Sequence, residues 1–511
     1  MNYSMQQIRN FNEDFNSILN LYPERIACEV INGEELIVTY NDLDKLIKKT
    51  LSLFSELKIN NNAMICSILP NSIESIILFL SCMKGGYQYA PIHSNSTLSE
   101  VKEWVEFLNP EYIFYGNYFD EDIVNFLENS KISCCNLSLD LIKKIEIKLK
   151  NKVPSNSGKL YIFSSGTTGK QKAIIHDINK LWSSGYYFLR LHKLDFNSEF
   201  KIWNYLSHAY LGGLFNLCLI PFSIGGTIVI DDNFTGKNFL SFWQTIERCN
   251  INSLWLVPSI VKGLVTIGER IKRKNKNVFN KINIAFLGTA PIDIELKNQF
   301  LNIFNIRPLE NFALSETTFI SSEFKYGEND NISKSSGKIL DYVDIKFKKI
   351  DSEIEGYKLL VKTPFLMEGY LTQDQTIALP KDKEGFLDTG DIGYLNNNND
   401  LVITGREKEI IKKGGYLISL REIEIITEKY PGIIESAAVK VDHKFYGESY
   451  KLFIKFNQNL DKVNINQIRD YIYDNLAKYK WPEEIELIEE FPKTSSGKII
   501  KKDLYKYENF H

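Results

Sequence analysis

Along residues 41–57 (NDLDKLIKKTLSLFSEL) apolar side chains recur at Leu43, Leu46, Ile47, Leu51 and Leu53 behind a capping asparagine, the spacing of one helix face. Apolar runs at 63–69 and 87–92 read as strands around a helix over 72–83, which Gly85-Gly86 closes. Strand, helix, strand in that order implies a mostly parallel sheet with helices packed on it. The rhythm returns between about 200 and 315, with apolar runs at 226–230, 254–257 and 282–287. Two α/β stretches of similar architecture are therefore expected.

Beyond residue 331 the pattern shortens to alternating strands at 343–349, 357–362 and 400–404, separated by Gly and Asn turns. The run Asn396–Asn399 reads as a hairpin loop. A charged segment, REKEIIKKGG, follows Gly405, and the residues after it mix strand and helix patterns as a small domain would. The expected class is α/β: a large N-terminal domain, residues 1–406, made of two βαβ-type subdomains plus a small β-subdomain. A small, mobile α+β domain, 407–511, follows it.

Composition narrows the function classes. At 511 residues the chain exceeds one small core, and 44% hydrophobic with 24% charged residues is globular. A net charge of −3 supplies no field for nucleic acid or an anionic membrane. Seven scattered cysteines without a CxxC pair argue against a disulfide framework or zinc site, and six histidines show no HExxH. The opening MNYSMQQIRNFNEDF lacks a signal-peptide core, and the apolar stretch at Ile76–Cys82 is too short to cross a bilayer. A cytoplasmic protein without stable membrane insertion is expected.

The chemistry-bearing stretch is 161–173, YIFSSGTTGKQKA: a buried strand, then hydroxyls, glycines and lysines. Glycines let backbone N–H groups approach oxyanions, while Ser165, Thr167 and Thr168 add donors and Lys170 and Lys172 add charge. The Walker A pattern fails, because the position five after Gly166 is Gln171.

SSGTTGKQKA resembles the signature of the adenylate-forming (AMP-binding) superfamily of acyl-CoA synthetases, peptide-synthetase adenylation domains and luciferases. Four further stretches match in the superfamily's order: NFALSET (311–317), GFLDTGDIGY (385–394), GREKEIIKKGGYLISLREIE (405–424) and PKTSSGKIIKKDL (492–504). The resemblance spans nearly the whole chain and implies ATP-dependent activation of a carboxylic acid as acyl-AMP, with pyrophosphate release and then transfer to a thiol.

The same resemblance assigns roles. Ser165, Gly166, Thr167, Thr168, Gly169 and Lys172 form the loop gripping the departing phosphates; Glu316 is the Mg²⁺ ligand and Ser315 the α-phosphate contact. Gly288, Thr289 and Ala290 on one side, and Asn311 and Phe312 on the other, enclose adenine. Asp391 and Arg406 bind ribose, Lys498 is the catalytic lysine, and Lys408 is the hinge about which the terminal domain alternates. The implied cofactors are ATP, Mg²⁺ and CoA, or carrier-protein phosphopantetheine in place of CoA.

The stretch 203–215 (WNYLSHAYLGGLF) bears on the acid. His208 matches the superfamily's histidine beside the carboxylate pocket, with Tyr210, Gly213 and Ala313 as further substrate contacts. No acidic residue lies between Trp203 and Leu219, which disfavours an α-amino acid, whose buried ammonium needs a partner. Trp203, Tyr210, Phe215 and Phe312 suggest an aromatic lining, suited to an aryl or a small to medium acyl acid. The acceptor is CoA or a separate carrier protein, since too few residues follow Lys498 for a fused carrier. Rival readings are a luciferase-like oxygenase, and a non-catalytic nucleotide-binding relative, which would be expected to lose Lys498 or Glu316.

Overall fold

The computed structural model describes residues 7–116, 121–148, 156–164, 172–272, 276–288, 292–325, 332, 334–350, 356–413, 416–457, 464–493 and 499–504. Two compact units emerge. One holds residues 1–332, 340–343 and 363–380; the other holds 333–339, 344–362 and 381–511.

The large unit contains the two expected α/β layers. In the first sheet the strands Met64–Ile68, Gln88–Ile92, Tyr112–Tyr115 and Ser133–Asn136 run parallel, and Lys159–Ser164 joins them parallel to Gln88–Ile92. The inner strands Met64–Ile68, Gln88–Ile92 and Tyr112–Tyr115 are almost wholly buried, as in a parallel sheet covered on both faces, whereas the edge strand Ser133–Asn136 is not. The helix Ile73–Lys84 is capped by Ser72 and ends at Gly85, as its sequence implies. The helix Tyr40–Glu56 starts one residue earlier than expected. Thr39, not Asn41, caps it, because Thr39 and Asp42 close a reciprocal capping box.

Beyond Lys159–Ser164 the sheet changes direction: Lys172–Asp177 pairs antiparallel with it, and Gly369–Leu371 pairs antiparallel with Lys172–Asp177 in turn. A segment almost two hundred residues downstream thus lies against the strand that leaves the phosphate loop.

The second sheet carries Thr227–Ile230, Lys201–Asn204, Ser253–Leu256, Ile284–Leu287 and Pro308–Leu314 in parallel order. At one side Thr318–Ser322 folds back antiparallel on Pro308–Leu314. At the other, Ile26–Val30 from the N-terminal region pairs parallel with Thr227–Ile230. The first stretch of the chain therefore contributes to both sheets. Trp203, Phe242, Trp243 and Phe304 centre the core beneath the second sheet.

In the smaller unit four antiparallel strands, Asp344–Lys349, Tyr357–Lys362, Leu387–Leu395 and Leu401–Arg406, form one sheet. Asn396 closes the expected hairpin loop, its side-chain carbonyl accepting from the backbones of Asn398 and Asp400. A second sheet pairs Ile410–Lys413, Tyr416–Ser419, Ile433–His443, Gly447–Phe456 and Glu484–Leu487, with the helices Leu420–Glu428 and Ile465–Asn475 supplying Ile423, Ile468 and Ile472 to its core. Among the described residues no helix is long and apolar enough to cross a membrane.

Candidate functional site

The NFALSET stretch becomes a strand, Pro308–Leu314, a tight turn through Ser315 and Glu316, and a returning strand, Thr318–Ser322. The register slips between Phe312 and Ala313, so the strand end leaves regular pairing where nucleotide contacts are expected. Thr318 closes the turn at φ +60°. That left-handed conformation is costly for a β-branched side chain, on the order of 1–3 kcal/mol. Burial and a 2.7 Å hydroxyl–hydroxyl hydrogen bond to Ser184 hold it there.

The base of this hairpin is held by ions. Lys297 is buried, with Nζ 3.0 Å from Glu310 and 2.9 Å from Glu323, and Glu323 also accepts from the Glu310 backbone N–H at 2.8 Å. Removing one member of such a buried set strands a charge, so it fixes the two strands in one arrangement. On the other side the buried His176 ring hydrogen-bonds the Ser315 backbone. Burial lowers the His176 pKa to about 4, so the ring is neutral and acts as a tether.

Glu316 emerges from this turn half-buried. The Tyr370 hydroxyl donates to its Oε1 at 2.7 Å, and its backbone carbonyl accepts from Met367 N–H at 2.8 Å. Lys172 lies with Nζ 5.2 Å from the centre of the Tyr370 ring. Two predicted residues, Glu316 and Lys172, are thus joined through a third that sequence reasoning missed. Nothing local in EGYL marks Tyr370; only the pairing of Gly369–Leu371 with Lys172–Asp177 brings it there.

Asn311 and Gly288 also come together: the Asn311 side chain donates to the carbonyl of Leu287 at 2.9 Å, beside Gly288. Phe312 is half-buried, and Ala313 is exposed on the same strand. The predicted loop residues Ser165, Gly166, Thr167, Thr168 and Gly169, together with Thr289, Ala290 and Lys498, lie outside the described residues.

His208 is buried. The Asn71 side-chain carbonyl accepts from its backbone N–H at 2.9 Å, and its Nδ1 meets the Ser75 hydroxyl. Ser75 donates that hydroxyl to the Ser72 carbonyl at 2.9 Å, so His208 Nδ1 is the N–H donor to Ser75 and Nε2 keeps a lone pair. Burial drives the His208 pKa down to about 3, and Nε2 has no hydrogen-bond partner among the described residues. The site offers a neutral acceptor, not an imidazolium.

Directly after His208 the chain winds into a π-helix, Gly212–Leu219, a form concentrated at functional sites. Asn204 stabilises it, donating its amide to the carbonyls of Gly213 (3.3 Å) and Leu217 (3.2 Å). Gly213 is required there, because a Cβ would stand 2.2 Å from the Ser207 carbonyl oxygen. Trp203 does not join an aromatic lining. Its indole donates to Asp231 at 3.1 Å and packs against Phe242 in the core.

In the smaller unit Asp391 and Arg406 are directly cross-strand, and Arg406 Nε donates to Asp391 Oδ1 at 2.9 Å. Asp391 is 2% exposed, so this carboxylate is held in place by its pair. Lys408 occupies the short 3₁₀ turn Glu407–Glu409 that follows Arg406.

Comparison with known proteins gives the family of the chain. A family model described as AMP-binding enzyme matches residues 16–371, and one described as AMP-binding enzyme C-terminal domain matches 422–498. The chain is 24% identical to the peroxisomal OPC-8:0-CoA ligase 1 of Arabidopsis thaliana, over 94% of this chain and 90% of the relative. It is 23% identical to 4-coumarate:CoA ligase 1 of Petunia hybrida, over 92% and 88%. In fold it is similar to ATP-bound MatB from Rhodopseudomonas palustris (TM-score 0.83, 18% identity, 98% of this chain and 99% of that one). It is also similar to o-succinylbenzoate CoA synthetase from Bacillus subtilis with its acyl-adenylate (TM-score 0.79, 19% identity, 96% and 97%). The first family model alone covers well over half of the sequence, and the chain belongs to the AMP-binding enzyme family.

Proposed function

We propose that this enzyme is an AMP-forming acid–thiol ligase that activates an aryl or a small to medium acyl acid with ATP and transfers it to CoA. The observation that carries the reading is the joining of Glu316 and Lys172, the predicted metal and phosphate residues, through one tyrosine inside a chain that matches both family models. The named relatives are CoA ligases, which supports CoA over a carrier protein as acceptor.

The residues fit a magnesium site. Glu316 is a hard oxygen ligand with one oxygen engaged by Tyr370, and Mg²⁺ takes one or two carboxylates together with substrate phosphates and water. When bound, Mg²⁺ would supply positive charge to the phosphate oxygens during acid attack. Lys172 and the loop 165–169 would bind the β- and γ-phosphates, Ser315 the α-phosphate, and Lys498 the meeting carboxylate and α-phosphate oxygens. Gly288, Thr289, Ala290, Asn311 and Phe312 would enclose adenine, and Asp391 with Arg406 would bind ribose. His208, Tyr210, Gly213 and Ala313 would line the acid site.

The moving part is residues 407–511 turning about Lys408 relative to 1–406, so that one site serves both half-reactions. We place the enzyme in the cytoplasm, a reading supported by seven free thiols, although one relative is named as peroxisomal. A pyrophosphate-release screen over aryl, short, medium and hydroxylated acids, with and without CoA, tests the reading. Acid-dependent pyrophosphate followed by a CoA-dependent thioester supports it. Transfer only to a carrier protein would replace CoA, and pyrophosphate release with no acid would end the proposal.

A further inference from the structure

We propose that Tyr370 is a positioning residue that sets the magnesium ligand Glu316 and the phosphate-binding Lys172 at a fixed separation. The proposal rests on the reading of Glu316 as the metal ligand.

Sheet register places Tyr370. Gly369 pairs with Ile175, Tyr370 with Ile174 and Leu371 with Ala173. Paired residues share a sheet face, as do residues two apart on a strand, so Tyr370, Ile174 and Lys172 project to the same side. The tyrosine ring therefore reaches the Lys172 ammonium diagonally, at 5.2 Å, within cation–π range. The far end of the same ring reaches Glu316, where the hydroxyl donates at 2.7 Å.

The backbone repeats both connections. Met367 N–H bonds the Glu316 carbonyl and Glu368 N–H bonds the Ile175 carbonyl, each at 2.8 Å. Gly369 suits the backbone there: at φ +151° a Cβ would stand 2.6 Å from Ile377, on the strand Ile377–Ala378 that pairs with the other edge of Gly369–Leu371. Lys180 secures the segment, its Nζ reaching the Leu366 carbonyl at 3.1 Å and pairing with Glu368 at 2.5 Å.

The two ends of Tyr370 serve different purposes. The hydroxyl fixes which Glu316 oxygen is engaged and leaves the other for the metal, as outer-shell partners of metal-binding carboxylates do. The ring face keeps the Lys172 ammonium from collapsing onto Glu316, so that carboxylate and ammonium remain available to metal and phosphate.

Calorimetric titration of the full-length protein with ATP, with and without Mg²⁺, and with AMP separates these functions. In Tyr370→Phe the ring remains and the hydroxyl is lost. The magnesium-dependent gain in ATP affinity should fall about tenfold or more, while AMP binding and magnesium-free ATP binding stay as in the wild type. Tyr370→Leu should lose that gain and also weaken magnesium-free ATP binding, with AMP again unaffected. Glu316→Gln is the reference for the metal ligand. If Glu316→Gln loses the gain and Tyr370→Phe keeps it, the role of Tyr370 is overturned and Glu316 stands. If both keep it, the reading of Glu316 fails and takes this proposal with it. An equal loss of AMP binding in Tyr370→Phe would show general damage to the fold and would also overturn the proposal.

Discussion

Three deeply buried histidines of the large unit, His176, His192 and His208, are held neutral, with His93 shifted the same way, and they should make it sensitive to acid well above the range in which carboxylates titrate. His176 is pushed down to about 4, and His192 and His208 to about 3, each chiefly by loss of solvent. An unfolded histidine takes up a proton near pH 6.5, whereas these folded ones do so only near pH 3 to 4. Below pH 6.5 the unfolded chain therefore binds more protons, and stability falls as pH drops toward the folded values. Each histidine contributes a slope of about 1.4 kcal/mol per pH unit, hence about 2 kcal/mol lost at pH 5 and about 6 kcal/mol for the three. That approaches the whole stability of an ordinary domain.

The perturbation that isolates one of the three is His192→Phe. The His192 ring is surrounded by Phe188, Phe286 and Phe324, with centroids 4.8, 4.9 and 4.7 Å away, so phenylalanine suits the space. Among the described residues its hydrogen-bond partner is the Ser322 hydroxyl, at 3.1 Å. That hydroxyl donates to the Glu323 carbonyl, so the substitution leaves no donor stranded. At pH 7 the variant should be about 1 kcal/mol less stable for the lost bond. At pH 5 it should match or exceed the wild type, and the slope should fall by about 1.4 kcal/mol per pH unit. Urea unfolding followed by tryptophan fluorescence reports this unit, since Trp182, Trp203, Trp243 and Trp255 are all buried in it. The carboxylates held low by lysine partners, Glu448, Glu483 and Glu490, lose their stabilisation only as pH falls through the ordinary glutamate value and beyond, so they do not obscure the window above about pH 5. Equal slopes for wild type and variant between pH 7 and 5 would refute the reasoning.

Gly213→Ala should raise KM for the acid more than for ATP and destabilise the large unit by about 1–3 kcal/mol, because the new methyl meets the Ser207 carbonyl and unwinds the π-helix; steady-state kinetics with denaturant unfolding checks both. Thr318→Gly should be within about 1 kcal/mol of wild type, relief of the left-handed strain offsetting the lost bond to Ser184. Thr318→Val keeps the strain, loses the bond and should be clearly less stable in the same assay. Lys408→Pro fixes φ in the turn after Arg406 and should slow thiol transfer more than adenylation in single-turnover measurements. An equal loss in both half-reactions would remove the support for a hinge there.

Much of this protein follows from local pattern. Helices such as Ile73–Lys84 carry their own caps, and buried parallel strands such as Ile284–Leu287 declare themselves as uninterrupted apolar runs. The contiguous motifs likewise sufficed to propose Glu316, Asp391 and Arg406 as site residues, and the stretch 203–215 to propose His208, without any fold.

Only the tertiary structure decided the rest. Tyr370 matters because a strand from 369–371 pairs with one from 172–177, a contact with no local trace. Ile26–Val30 pairs with its sequence neighbour Leu36–Thr39, yet its other edge pairs with the distant Thr227–Ile230, which no local pattern shows. Period-two patterning tells which face a residue takes but not which strand lies alongside. Trp203 shows the complementary limit: proximity to His208 in sequence suggested a pocket wall, yet its strand turns the indole into the core. The chemical state of His208 was also beyond the sequence. Its burial and the Ser72–Ser75 hydrogen bond, both products of packing, make it a neutral acceptor. Residue identity determined which groups could react, and long-range pairing determined which of them meet and in what protonation state.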